Sequence, residues 1–328
     1  MNIEHATVFA DKDVYAGWPA NHGRWQRGDE LLFGFLAGPF VPKGSYGHRV
    51  KEPFARLLAR SQDGGHTFVV CQTDGLFDVM DGDALSKIAF DPTDSYRFCG
   101  FYDHGGDYCP GKGAVYASQD FGRNWSGPHA VPFLGDAGDV CSARTAVLGD
   151  LVFLTYRHPY KFGTDYVVVA RMVAGSLVEA GEIRAIGRVA MPSVARIGEV
   201  MYAACRRREY HKSGFIQIFK SLNNGLTWEL CSEFPEFITG SSNGNPPSLV
   251  ATWDGRLALT YGNRTENIIV LAVGISTDWR FESIRTGGVS DIGYPQSFIN
   301  RSEELVVAYY WTENKSPQRI ERTIVSDY

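Results

Sequence analysis

Apolar and polar residues alternate in short runs along this chain, and the runs are broken by compact polar turns. Phe215-Ile216-Gln217-Ile218-Phe219-Lys220 is one such run; Phe54-Ala55-Arg56-Leu57-Leu58-Ala59-Arg60 and Gly113-Ala114-Val115-Tyr116-Ala117 are others. A period of two marks a strand with one face buried. Each of these runs leads into the same kind of turn. The three copies are Ser61-Gln62-Asp63-Gly64-Gly65-His66-Thr67-Phe68, Ser118-Gln119-Asp120-Phe121-Gly122-Arg123-Asn124-Trp125 and Ser221-Leu222-Asn223-Asn224-Gly225-Leu226-Thr227-Trp228. The shared template is Ser-x-Asp/Asn-x-Gly-x-Thr-Trp/Phe. Asp and Asn side chains bond to backbone N–H groups inside a turn, and Gly accepts a positive φ without steric cost. The closing aromatic then opens the next strand and buries a large ring. Each copy therefore reads as strand, tight turn, strand.

Spacing sets the architecture. Asp63, Asp120 and Asn223 lie 57 and 103 residues apart, so one copy is missing near residue 171, where Ala170-Arg171-Met172-Val173-Ala174-Gly175-Ser176 stands without the motif. A damaged copy, Ser276-Thr277-Asp278-Trp279, follows Asn223 by 55 residues. A period near 55 in 328 residues gives about six units. Units of this length holding four strands each indicate a β-propeller. A second repeat agrees: paired strands joined by a polar turn run from Ser142 to Tyr156, Met191 to Cys205, Pro246 to Tyr261 and Tyr294 to Tyr310. The expectation is an all-β, six-bladed propeller with about four antiparallel strands per blade, forming a single domain over 1–328. The last unit is short, and the strand around Ala6-Thr7-Val8-Phe9 would complete it and close the ring, removing exposed sheet edges.

Composition narrows the partners. Hydrophobic residues make up 44% and aromatics 13%, enough for a large core, and single all-β domains of this size are ordinary. A net charge of −5 argues against a general nucleic-acid or anionic-membrane role, and the basic run Arg206-Arg207-Arg208 is too short to reverse that. No run approaches a membrane span. The polar start Met1-Asn2-Ile3-Glu4-His5 and six cysteines without close pairing lead to an expected cytoplasmic location with reduced thiols. No Cys/His group has zinc spacing, so neither metal nor cofactor is expected. The sequence is compatible with a monomer or a homo-oligomer.

The Ser-x-Asp-x-Gly-x-Thr-Trp turn resembles the Asp-box, and the chain resembles the sialidase (neuraminidase) superfamily of six-bladed propellers over nearly its full length. The resemblance implies that the boxes are structural and lie on outer turns, away from a central pocket. It implies a pocket in which three arginines hold a sugar carboxylate, a Tyr partnered by a Glu attacks the anomeric carbon, and an Asp serves as acid and base. Arginine suits such a clamp because its planar fork meets a carboxylate bidentately. Arg264, in Tyr261-Gly262-Asn263-Arg264-Thr265, is similar to one clamp arginine. Aligned on Gly198 and Gly255, Arg207 is its internal equivalent and the preferred second, with Arg206 the alternative. Tyr294, in Asp291-Ile292-Gly293-Tyr294-Pro295, stands where the nucleophile sits, and Asp291 would order that turn or meet the ligand.

Three positions depart from the pattern. Gly17, in Ala16-Gly17-Trp18-Pro19, stands where the first-blade arginine is expected. No acid lies near Met191-Pro192, where the glutamate belongs, and Pro53 stands at the acid/base position, with Glu52 one residue and His48 five residues away. His48 and Glu52 are therefore the candidate proton donors, since histidine titrates near neutral pH. Arg144, at the start of the third inner strand, is a candidate replacement for the missing arginine. Asp103 and His104, on a Gly-rich second-blade loop, are weaker candidates. The bland alternatives are a core packing role for Tyr294, surface ion pairs for Arg207 and Arg264, and solvated loop positions for His48 and Glu52. The expected function is an exo-acting glycoside hydrolase on a terminal acidic sugar. The alternatives are a lyase on uronic-acid glycans using His and Tyr, or a non-catalytic glycan-binding propeller.

Overall fold

In the computed structural model the described residues are 1–42, 48–72, 86–99, 114–131, 139–157, 165–209, 214–240, 245–289, 291–314 and 316–328, without the side chains of 139–144, 157, 236 and 237. They form six antiparallel sheets, the blades of a propeller. Strand β1 (Asn2–Phe9) precedes the first blade. That blade holds β2 (Val14–Gly17), β3 (Arg24–Arg27), β4 (Glu30–Pro39), β5 (Ala55–Ser61) and β6 (Val69–Gln72), with β2 and β3 both pairing to β4. The second comprises β7 (Ser95–Cys99), β8 (Ala114–Ser118) and β9 (Ser126–Ala130). The third comprises β10 (Asp139–Leu148), β11 (Leu151–Arg157), β12 (Tyr166–Val173) and β13 (Ser176–Ile183). The fourth comprises β14 (Arg188–Ile197), β15 (Val200–Arg208), β16 (Gly214–Ser221) and β17 (Glu229–Phe234). The fifth comprises β18 (Ser248–Ala251), β19 (Leu257–Asn263), β20 (Ile268–Ile275) and β21 (Asp278–Arg285). The sixth comprises β22 (Gly293–Ile299), β23 (Leu305–Trp311), β24 (Arg319–Ser326) and, as its outermost strand, β1. The register Asn2↔Ser326 through Thr7↔Glu321 closes the ring as the sequence suggests.

The core lies between blades. One buried cluster joins blades one and six (Phe33, Phe35, Phe298, Val306), and others join three to four, four to five and five to six. The repeated turn explains how neighbours are held. In each copy the serine Oγ accepts the glycine N–H: Gly65 to Ser61 at 2.8 Å, Gly122 to Ser118 at 2.7 Å and Gly225 to Ser221 at 2.9 Å. The Asp or Asn Oδ1 accepts a second N–H, from Thr67, Asn124 or Thr227, at 2.8–2.9 Å. The glycine has positive φ and also presses on the preceding blade. A Cβ at Gly122 would stand 2.4 Å from Leu32, and one at Gly65 2.6 Å from Val306. The closing indoles cross the same gap: Trp125 meets Trp25 at 5.2 Å and Trp228 meets Phe153 at 5.7 Å. Each such ring is worth about 1.5–3 kcal/mol when fully buried. The third blade lacks the motif because Val173 and Ser176 pair directly across a two-residue hairpin turn, with Ala174 at φ 48° and Gly175 at φ 79°.

Hydroxyl groups join the innermost strands near the axis. Leu249 N–H donates to Ser193 Oγ at 2.8 Å, and Ser297 N–H donates to Ser248 Oγ at 2.9 Å. Both serines are buried. Ser248→Ala should cost about 1–3 kcal/mol, because it strands a buried N–H on the next blade. A denaturation midpoint equal to that of the parent would show that the staple contributes nothing.

Candidate active site

One backbone device recurs in three blades, just after β2, within β14 and at the start of β22. Trp18, Met191 and Tyr294 each precede a proline and each adopt a left-handed conformation, with φ of 53°, 58° and 51°. The strand register slips beside two of them, between Ala190 and Ser193 and between Gly293 and Gln296. Such a bulge re-aims a side chain, and the left-handed state costs a non-glycine residue about 1–3 kcal/mol. The three side chains share one buried cluster with Tyr310. The rings of Trp18 and Tyr294 lie 6.4 and 5.8 Å from that of Tyr310.

Asp291 is the hub of this cluster. It sits just before β22 and takes hydrogen bonds from Tyr310 (2.5 Å), His48 Nδ1 (3.0 Å), Tyr15 (3.2 Å) and Gln318 (3.4 Å). Arg264 Nη2 lies 3.5 Å from the same carboxylate. Burial opposes its ionisation, but the His48 hydrogen bond, the charges of Arg264 and His48 and the Tyr310 hydrogen bond hold it down at about 2. An ionised carboxylate only accepts, so His48 Nδ1 donates, and in the neutral ring Nε2 carries the basic lone pair. Burial, above all, pushes the phenols of Tyr15 and Tyr310 well above their ordinary range, so they remain donors.

The segment 48–50, which carries His48, is docked from both sides. Val41 N–H donates to Arg49 O at 3.0 Å, and Phe40 pairs with Val50. Arg49 reaches the sixth blade, donating to Ser316 O at 2.8 Å and to Gln318 at 3.3 Å. The His48 ring stands edge-on to Trp18 at 4.8 Å.

Two arginines converge on Tyr294. Arg264 donates to Ile292 O at 3.1 Å and to Tyr310 OH at 2.7 Å, and its guanidinium lies 5.5 Å from the Tyr294 ring centre. Burial disfavours its charge, but Tyr310, Tyr294 and Asp291 raise its pKa further still. Arg206 donates to Met191 Sδ at 3.7 Å. Burial brings its pKa down to about 10; Tyr294 acts upward, and the cations Arg188, Arg264 and Arg208 act downward. Met191 thus occupies the place where the resemblance sets a glutamate. A close approach of Gly262 and Gly293, where a Cβ on Gly262 would lie 2.9 Å from the Gly293 Cα, lets Arg264 reach across from the fifth blade.

The structure brings His48, Asp291, Arg264 and Tyr294 together. Arg207, preferred from the sequence, turns to the other face of β15. It donates to Ile186 O at 2.9 Å, pairs with Glu209 and stacks on Phe215 at 4.7 Å, while Arg206 is the member that faces the cluster. Glu52 is solvent-exposed before β5. Arg144 lies in β10, but its side chain is outside the described residues, as are Asp103 and His104. Where an arginine was expected at Gly17, a Cβ would stand 2.7 Å from the Tyr15 ring, so Tyr15 fills that space. Tyr15, Trp18 and Tyr310 join the site beyond the residues chosen from sequence, and Arg206, the alternative there, takes the place of Arg207. For Trp18, the available signal was the shared x-Pro setting of Trp18-Pro19 and Tyr294-Pro295. Among the described residues, no group of three or more His, Cys, Asp or Glu could hold a metal ion.

No protein-family profile and no curated protein matches the sequence. Solved structures match its fold. A protein of unknown function from Dyadobacter fermentans aligns over 98% of both chains, with a TM-score of 0.71 and 15% identity. The Trypanosoma rangeli sialidase in complex with sialic acid aligns with 98% of this chain and 59% of its own, at a TM-score of 0.63 and 11% identity. The NanB sialidase of Streptococcus pneumoniae aligns over 98% and 70%, at 0.64 and 12%. The chain therefore has the six-bladed fold of the sialidases, and it spans about three fifths of the length of the trypanosomal enzyme.

Proposed function

We propose that this protein is a glycoside hydrolase that removes a terminal acidic sugar in the pocket around Tyr294. The observation that carries the reading is the convergence of a carboxylate-oriented imidazole, His48–Asp291, with Arg264 and Tyr294. Arg264 and Arg206 would hold the sugar carboxylate. Tyr294 would face the anomeric carbon, a role that the resemblance to sialidases supports. His48 Nε2 would carry the proton, giving it to the leaving oxygen and later taking one from water. The shared fold supports a carbohydrate ligand, since the trypanosomal enzyme has been seen with sialic acid bound.

The imidazole–carboxylate pair also favours a second reading, β-elimination on a uronic acid. There the cations would neutralise the carboxylate, His48 would take the proton on the adjacent carbon, and Tyr294 would give its proton to the leaving oxygen as the C–O bond breaks and a double bond forms. One panel separates the two. Purified protein and Tyr294→Phe are incubated with sialosides, related nonulosonic-acid glycosides and uronic-acid oligosaccharides, with reducing-end and ultraviolet detection in parallel. Sugar release that Tyr294→Phe lowers by about 10²-fold or more supports the hydrolase. Ultraviolet gain moves the assignment to the lyase. Silence on every substrate overturns both and leaves a binding propeller.

A further inference from the structure

The opposite mouth of the ring carries a second built surface. The inner strands β14, β18 and β22 end there at Ile197, Ala251 and Ile299. With Trp253 and Arg196 these residues line an open depression of about 380 Å³. Trp253 is 64% exposed, whereas among the described residues the next most exposed large aromatic, Phe281, is at 39%. Its turn is stiff: Thr252 Oγ1 bonds Asp254 at 2.5 Å, Arg256 N–H bonds Thr252 Oγ1 at 3.1 Å, and Thr252 N–H bonds Arg256 O at 2.9 Å. The indole N–H makes one long hydrogen bond, to Asn300 O at 3.4 Å. The exposed indole leaves its apolar face available to a ligand.

Arg196 is placed with equal care. Its guanidinium bonds Asn224 Oδ1 at 2.9 Å and Met201 Sδ at 3.1 Å, and among the described residues no carboxylate lies in ion-pair range. A smaller depression of about 220 Å³ also borders Trp253, but four carboxylates, Asp254, Glu303, Glu304 and Asp327, line it against one cation, Arg256, and it disfavours anions. Charge thus confines an anionic ligand to the Arg196 side.

We infer that this mouth is a second saccharide site, taking an acidic pyranose of a glycan chain. The ring's C–H face packs on Trp253, and its carboxylate meets the Arg196 fork. The test is electrophoresis in native gels cast with polygalacturonate, with α2,8-linked polysialic acid or with a neutral β-glucan. Wild type, Trp253→Ala, Arg196→Gln and His48→Gln are compared, with hydrolysis of a small aryl glycoside measured alongside. The expected result is retardation of wild type and His48→Gln by an acidic polymer. Affinity should fall about tenfold or more in Trp253→Ala and by less in Arg196→Gln, with small-substrate turnover unchanged in Trp253→Ala. Equal retardation of all four proteins, no retardation of wild type by either acidic polymer, or loss in His48→Gln alone would overturn the assignment. So would a change in self-association of Trp253→Ala without a change in retardation.

Discussion

Replacing His48 by glutamine is expected to lower kcat on an accepted substrate by about 10²–10⁴-fold, the usual range for a lost acid/base group. Glutamine can still donate one hydrogen bond toward Asp291, so the carboxylate that now receives Nδ1 at 3.0 Å is not left bare. The fold should survive, and the loss should fall on kcat rather than KM, because His48 does not hold the sugar carboxylate in this reading. If His48→Gln kept the parental kcat across the pH range, proton transfer would have to be assigned elsewhere.

Asp291→Asn should act mainly on stability. The carboxylate faces Arg264 at 3.5 Å and collects donors from four side chains. Its removal takes the anion from the half-buried Arg264 guanidinium and points an amide NH₂ at donors, a loss of about 1–3 kcal/mol. The pH dependence carries a definite sign. A carboxyl held at about 2 against an unfolded value near 3.9 contributes stability that is full above the unfolded value and fades as pH falls through about 2. The gap between wild type and Asp291→Asn in denaturation midpoint should therefore be widest near neutrality and close in acid. A gap that holds constant down to pH 2 would mean that the charge of Asp291 does not stabilise the fold.

The turn template was readable because every residue in it acts within eight positions or against the adjacent blade. Ser, Asp and Gly form the local bonds, and the aromatic crosses to the neighbour. The same logic gave the blade starts, and the resemblance to sialidases then pointed to Asp291, Tyr294 and Arg264 at them. Arg206 was harder to choose. In the fifth blade Arg264 lies just beyond the end of β19, freed from strand alternation, whereas β15 runs on to Arg208. Counting from the turn glycines then selects Arg207, but strict alternation sends Arg207 toward Ile186 and Arg206 toward Met191. Tyr15 and Tyr310 read as ordinary core aromatics. The hydroxyl of Tyr15 finds its acceptor 276 residues away, a relation that no local pattern carries.

The ring closes where β1 pairs with β24, strands separated by more than three hundred residues, and the same seam divides the site. Tyr15, Trp18 and His48 come from the first blade, whereas Asp291, Tyr294 and Tyr310 come from the last. Closing so long a loop costs chain entropy that only the finished ring repays. A nascent chain can assemble its middle blades, with their full complement of β-structure, and still have no Asp291 beside His48. Acquisition of the proposed activity during refolding should therefore time the longest-range step, distinct from the clock read by backbone spectroscopy.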